Sequence, residues 1–100
     1  MSKPESADAI LERILKSYGL DGKLREWRAV QLWPEVVGEA IAKHTRAEKV
    51  FRKKLYIIVD SPAWKQQLHF LKNDMVARLN AAAGGDVVRD IQLTVGKIQG

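Results

Sequence analysis

The stretch that decides the fold is KLYIIVDSPAW, residues 54–64, because the periodicity of the chain changes within it. The aliphatic side chains at 55, 57 and 59 alternate with those at 56, 58 and 60, which predicts a β-strand. Ser61 then offers a capping hydroxyl, and Pro62 suits the first position of a helix. The stretch therefore predicts a strand that is followed directly by a helix.

After this stretch the sequence predicts one long helix and a further strand. We expect a continuous helix that runs to about Ala82 or Ala83, ends at Gly84 and carries an apolar stripe of Trp64, Leu68, Leu71, Met75 and Leu79. The segment from Val87 to Val95 alternates and predicts a third strand. A right-handed crossover would place this strand parallel to a strand of the preceding hairpin.

The partner of the first strand is expected immediately before it, from Thr45 to Phe51, where β-branched and aromatic residues are frequent. The connection at Arg52–Lys54 contains no glycine or asparagine, so the length of the loop stays open. A three-residue loop would place Phe51 on the same face as Leu55. A two-residue loop would place Val50 there instead.

Three helical segments are predicted before the hairpin. The first runs from about Ala7 to Tyr18, with Ser6 as its cap. The second begins after Gly22 and is interrupted at Pro34, because the residue before a proline is disfavoured in the α region. A short third helix is expected from Pro34 to about Lys43.

These elements predict an α+β fold with a small three-stranded sheet and helices on one face. The other face has few side chains to cover it, so it is either exposed to solvent or a binding surface. We expect one domain over residues 7–96, a flexible N-terminus at 1–6 and a short end at 97–100. Trp27, Trp33 and Trp64 are expected to be core anchors.

Charge is the first indication of function. The chain has 100 residues and a net charge of +5, and residues 46–100 account for all of it with ten basic and five acidic residues. A basic cluster opposed only by Glu48 lies within one short stretch and comprises Arg46, Lys49, Arg52, Lys53 and Lys54. Such a cluster suggests nucleic acid or another acidic partner, and a solvated basic loop is the alternative. Tyr56 beside it could stack on a base while the cations hold phosphates, and the alternative is that a helix or a dimer partner covers this ring.

Catalytic and metal-binding patterns are absent from the sequence. The lack of cysteine excludes disulfides, thiolate-bound metals and cysteine nucleophiles. His44 and His69 have no third ligand at a suitable spacing, and no glycine-rich phosphate loop is present. We therefore expect a protein that is not an enzyme and uses no cofactor. No apolar run approaches membrane length and no secretory signal is evident, which favours the cytoplasm.

Two tryptophan-centred blocks, WPEVVGEAIAKHT at 33–45 and KLYIIVDSPAW at 54–64, resemble the DciA-like family of bacterial proteins. The resemblance extends through Gln67-Leu68, Leu79-Asn80, the Val88-x-x-Ile91 strand and Gly96. It implies a fold similar to a KH domain and a role as an adaptor that helps to load the replicative helicase onto single-stranded DNA. The sequence departs from KH domains in having no Gly-x-x-Gly loop, and from some relatives in having neither a zinc ribbon nor a long tail.

The leading hypothesis is therefore a non-enzymatic DNA-replication adaptor. By the resemblance it binds the replicative helicase, and it binds single-stranded DNA weakly and without sequence preference. The alternatives are a KH-like RNA-binding module and a domain that contacts only protein. The candidate nucleic-acid-binding residues are Arg46, Lys49, Arg52, Lys53, Lys54 and Tyr56.

Overall fold

The structure is a computed structural model that describes residues 7–98, without the side chains of Asp8 and Glu12. The elements are α1 (Ala7–Ser17), α2 (Asp21–Val37), α3 (Glu39–Ala42), β1 (Thr45–Phe51), β2 (Lys54–Val59), α4 (Pro62–Phe70), α5 (Lys72–Ala83) and β3 (Asp90–Val95). The predicted α+β class is confirmed, with the helices on one face of the sheet. The expected Ser6 cap and the flexible start lie outside the described residues.

The sheet has the order β1-β2-β3, with β2 at its centre. β1 is antiparallel to β2 and β3 is parallel to it, as the crossover rule predicts. Leu55, Ile57 and Val59 of β2 are fully buried because they point toward the helices. Ile91 and Leu93 of β3 join them, so one face of the sheet forms the floor of the core.

The hairpin between β1 and β2 uses a two-residue turn, which is one of the two alternatives left open by the sequence. Arg52 and Lys53 have positive φ angles of 52° and 66°, as a tight hairpin turn requires. Phe51 pairs with Lys54, and the next pair joins Val50 to Leu55. Val50 is therefore buried on the core face, and Phe51 lies on the opposite face with about half of its surface exposed.

The predicted break at Pro34 is wrong, because α2 continues through this residue to Val37. Trp33 is 1% exposed, and its Nε1 donates a 2.9 Å hydrogen bond to Thr45 Oγ1. This burial and hydrogen bond hold Trp33 in the helical conformation, although the residue before a proline normally avoids that conformation. The helix ends instead at Gly38, whose φ is +86°, so the expected third helix from Pro34 to Lys43 is reduced to α3.

The long helix expected after Ser61 is divided in two at Leu71, whose φ and ψ of −101° and 3° are not helical. α4 contacts β2 and β3, and α5 contacts α2 and β3. The two parts of the apolar stripe therefore pack against different elements. A single straight helix could not contact both sets of elements equally well. Leu68, Met75 and Leu79 are buried as predicted, whereas Leu71 at the break is exposed.

The third strand is shorter than the predicted Val87–Val95. Val87 and Val88 precede it in a buried loop, where Asn80 replaces a strand partner. Asn80 Oδ1 accepts hydrogen bonds from the amides of Val87 and Val88 at 3.1 and 2.9 Å, and Asn80 Nδ2 donates to the Val88 carbonyl at 2.7 Å. These bonds satisfy the buried backbone without pairing it to the sheet.

The three predicted core tryptophans have different environments. Trp33 is buried, and Trp64 is partly buried and stacks on His44 at 4.7 Å between ring centroids. Trp27 is 46% exposed, so the prediction that it is a core anchor is wrong. The reason is helical phase, because Trp27 lies on a different side of α2 from the buried pair Ala29 and Trp33. Within residues 7–98, no helix has the length and apolarity that a membrane span requires.

Candidate nucleic-acid interface

The sheet face opposite the helices carries most of the candidate residues, and we call it the open face. Strand alternation places on it Arg46, Lys49 and Phe51 from β1, Lys54, Tyr56 and Ile58 from β2, and Asp90, Gln92 and Thr94 from β3. The side chains of β2 on this face are only partly buried. A three-stranded surface of cations, rings and small polar groups, with the Asp90 carboxylate next to Lys54, is therefore accessible to a partner.

Cations and rings alternate on this face. Lys49 pairs with Tyr56 across the β1–β2 ladder, and Phe51 pairs with Lys54. The ammonium of Lys49 lies 5.2 Å from the centroid of the Tyr56 ring and 5.9 Å from that of Phe51. The guanidinium of Arg52 lies 5.2 Å from the Phe51 ring. These are cation–π distances, so the rings hold the cations in place next to their own faces.

Two of the predicted basic residues are engaged elsewhere. Arg46 Nη2 donates to both carboxylate oxygens of Glu48 at 3.2 Å, which offsets its charge. Lys53 Nζ donates to the carbonyl oxygen of Asp86, so its side chain is held against the loop before β3. The structure thus brings Lys49, Lys54 and Tyr56 together on the open face, with Arg52 at the hairpin tip.

Phe51 is the residue that sequence reasoning missed. Its place on the open face depends on the two-residue turn, because a three-residue loop would have buried it beside Leu55. β3 also contributes, since its parallel register sets Gln92 beside Tyr56 and Thr94 beside Ile58. A shallow depression of about 430 Å³ lies on this face, between residues that include Lys49, Tyr56, Ile58 and Thr94.

His44, for which the sequence offers no third metal ligand, belongs to a packing cluster. His44 Nδ1 lies 2.8 Å from Asp60 Oδ2, and the His44 ring stacks on Trp64. Ser61 Oγ accepts a 3.2 Å hydrogen bond from the Trp64 amide and so caps α4, as predicted. Within residues 7–98, no group of three or more His, Cys, Asp or Glu side chains could hold a metal ion. The cluster therefore ties the start of β1 to the end of β2 and to α4.

Comparisons with known proteins identify the family. The family model described as "Dna[CI] antecedent, DciA" matches residues 6–93. A UPF0232 protein of Mycobacterium tuberculosis is 31% identical over 91 residues, which are 91% of this chain and 49% of that protein. UPF0232 proteins of Rhodococcus jostii and Corynebacterium glutamicum are 31% and 27% identical over 91% and 89% of this chain, and 48% and 50% of their own lengths. The chain spans about half the length of these curated relatives, and it belongs to the DciA family.

Proposed function

We propose that this chain is a non-enzymatic adaptor of the replicative helicase that binds single-stranded DNA through its open face and hairpin tip. Membership of the DciA family supports a helicase-loader-like adaptor role. The observation that carries the DNA-binding part is the alternation of Lys49, Phe51, Lys54 and Tyr56 on a sheet face that none of the helices within residues 7–98 covers. Stacking rings beside cations are the usual means of binding single strands without sequence preference.

The geometry favours a single strand over a duplex. Bases can reach the rings of Phe51 and Tyr56 only when they are unpaired, because the duplex hides base faces within its stack. Neither Lys49 nor Lys54 has an ion-pair partner within the described part of the chain, so their charges are available for phosphates. Binding through stacking and phosphate contacts alone carries little sequence information.

A separate surface supports the contact with protein. α1 contacts α2, and it exposes Ile10, Leu11 and Ile14 to between 39% and 47%. Adjacent exposed aliphatic side chains are more typical of a protein-binding surface than of a nucleic-acid-binding one. The adaptor can therefore hold the helicase through its helices while the open face holds DNA.

The experiment that tests this division measures binding to two partners, the purified replicative helicase and a single-stranded oligonucleotide. Leu11→Gln with Ile14→Gln should weaken the helicase complex and leave DNA binding intact. Arg52→Gln with Lys54→Gln should weaken DNA binding and leave the helicase complex intact, because these side chains lie at the hairpin tip and on the open face, not on α1. A parent protein that forms no complex with the helicase would contradict the adaptor role. Tighter binding to oligouridylate than to oligothymidylate would favour an RNA-binding module instead.

A further inference from the structure

Trp27 lines a groove at the edge of the sheet, and this groove is separate from the open face. The groove has a volume of about 320 Å³ and runs between α2 and β1. Trp27, Val30 and Gln31 line it from the helix, and Glu48, Lys49 and Val50 line it from the strand. We call it the edge groove. We propose that it is a subsite for one unpaired nucleobase of the strand bound to the open face, with Trp27 as the stacking platform; this inference rests on the proposed function.

The shape of β1 connects the edge groove to the open face. The register shifts between Ala47 and Lys49, so Glu48 forms a β-bulge. A bulge at a sheet edge re-aims the side chains next to it. Lys49 lines both the edge groove and the depression on the open face that contains Tyr56. A strand whose phosphate contacts Lys49 therefore has a ring on either side of that contact, Tyr56 on the face and Trp27 at the edge.

The charge of the edge groove suits a base rather than a phosphate. Its two acidic residues are each paired, Glu26 with Lys23 at 3.9 Å and Glu48 with Arg46 at 3.2 Å. With both glutamates paired, Lys49 is the one cation of the lining that has no ion-pair partner among the described residues. A phosphate therefore gains only from Lys49, where the edge groove meets the open face, whereas a neutral planar base loses no charge interaction by entering the rest of the groove.

A base presents flat apolar faces and a polar edge, and the remaining lining residues can contact both. Trp27 is 46% exposed, which leaves a large indole surface available for stacking. Val30 and Val50 supply apolar contacts beside it. The amide of Gln31 has donors and an acceptor, which can pair with the edge of any base. Stacking with adaptable hydrogen bonding keeps the site tolerant of sequence, as the proposed function requires.

The test compares two oligonucleotides of about 12 nucleotides, within the range that one small domain covers: an oligothymidylate and an abasic strand with the same phosphates. Trp27→Ala should weaken binding to oligothymidylate by about five- to a hundredfold. It should leave binding to the abasic strand unchanged and leave the salt dependence unchanged, because no phosphate contact is lost. Trp27→Phe keeps a ring and should stay within a few-fold of the parent.

Tryptophan fluorescence gives a second readout that does not depend on affinity. Oligothymidylate should quench the emission of the parent, and most of that quenching should disappear in the Trp27→Phe variant. If the quenching persists in this variant, it comes from another tryptophan, and the proposed subsite is overturned. Each variant is checked by thermal melting, and a half-exposed Trp27 predicts melting temperatures close to that of the parent.

The outcomes separate this inference from the proposed function. If Trp27→Ala binds oligothymidylate as the parent does, while Arg52→Gln with Lys54→Gln weakens it, the subsite is overturned and the DNA-binding function stands. Equal losses on both oligonucleotides would also overturn it, because an abasic strand has no base to stack. Loss of helicase binding without loss of DNA binding would assign the edge groove to a protein side chain. A parent that binds neither oligonucleotide overturns both proposals.

Discussion

Tyr56 lies at the centre of the candidate interface, opposite Lys49 on one side and beside Gln92 on the other. Strand alternation in the sequence was sufficient to place this residue on the face opposite the buried Leu55 and Ile57. The sequence did not select Trp27, because an aromatic residue on a helix is more often buried than exposed, and only the phase of α2 relative to Trp33 exposes it.

We predict that Tyr56→Ala weakens binding to single-stranded DNA by about 1–3 kcal/mol at every salt concentration, because a stacked ring contributes independently of phosphate contacts. Tyr56→Phe is the matched control and should bind nearly as the parent does. Affinity is measured by fluorescence anisotropy over a series of salt concentrations. An alanine variant with parental affinity would remove Tyr56 from the interface.

The hairpin turn decides the site at the level of the element. Arg52 and Lys53 both have positive φ, a region in which most L-residues are strained by about 1–2 kcal/mol. Asparagine and glycine accept these angles readily and are the preferred residues in such turns. Basic residues at these two positions therefore place charge at the hairpin tip at some cost in stability.

We predict that Arg52→Asn with Lys53→Gly raises the free energy of unfolding by about 1 kcal/mol and weakens DNA binding. The relief of strain at two positions exceeds the loss of one exposed hydrogen bond, to the Asp86 carbonyl, and of one exposed cation–π contact, to Phe51. Urea denaturation measures the stability. A lower midpoint in the variant would show that these contacts outweigh the strain.

The elements themselves were largely predictable, and the differences have identifiable physical causes. The strand β2 and the Ser61 cap follow from local pattern and are confirmed. The passage of α2 through Pro34 depends on the burial of Trp33, and the break at Leu71 depends on the different partners of α4 and α5. Both depend on contacts between distant segments, which no local pattern encodes. The face of Phe51 is set locally, by the length of the turn, and a turn without glycine or asparagine does not reveal its length in the sequence.

At the scale of the whole molecule, the basic half of the sequence divides into residues with different partners. Arg46 pairs with Glu48, and Lys53 donates to the Asp86 carbonyl. The remaining cations of the cluster, Lys49, Arg52 and Lys54, lie on the open face and at its tip. Other basic residues lie on α4 and α5, among them Lys65 and Lys72, which line a pocket with Gln92 of β3, the edge strand on the other side of the sheet from β1. Net charge alone therefore does not distinguish these groups, whereas the geometry of the hairpin separates the three cations that we propose contact DNA from the rest.

Phosphate contacts made by the hairpin cations would give the binding of single-stranded DNA a defined dependence on salt concentration, which is the decisive measurement. Each phosphate contact contributes roughly 0.7 to the slope of log K against log salt, so three cations predict a parental slope of about −2. Arg52→Gln with Lys54→Gln should reduce it to about −0.7, with Lys49 remaining. Lys65→Gln with Lys72→Gln removes the same charge from the helices and should leave the slope near the parental value. Equal slopes for the parent and the hairpin variant, or a flattened slope only in the helix variant, would contradict the account.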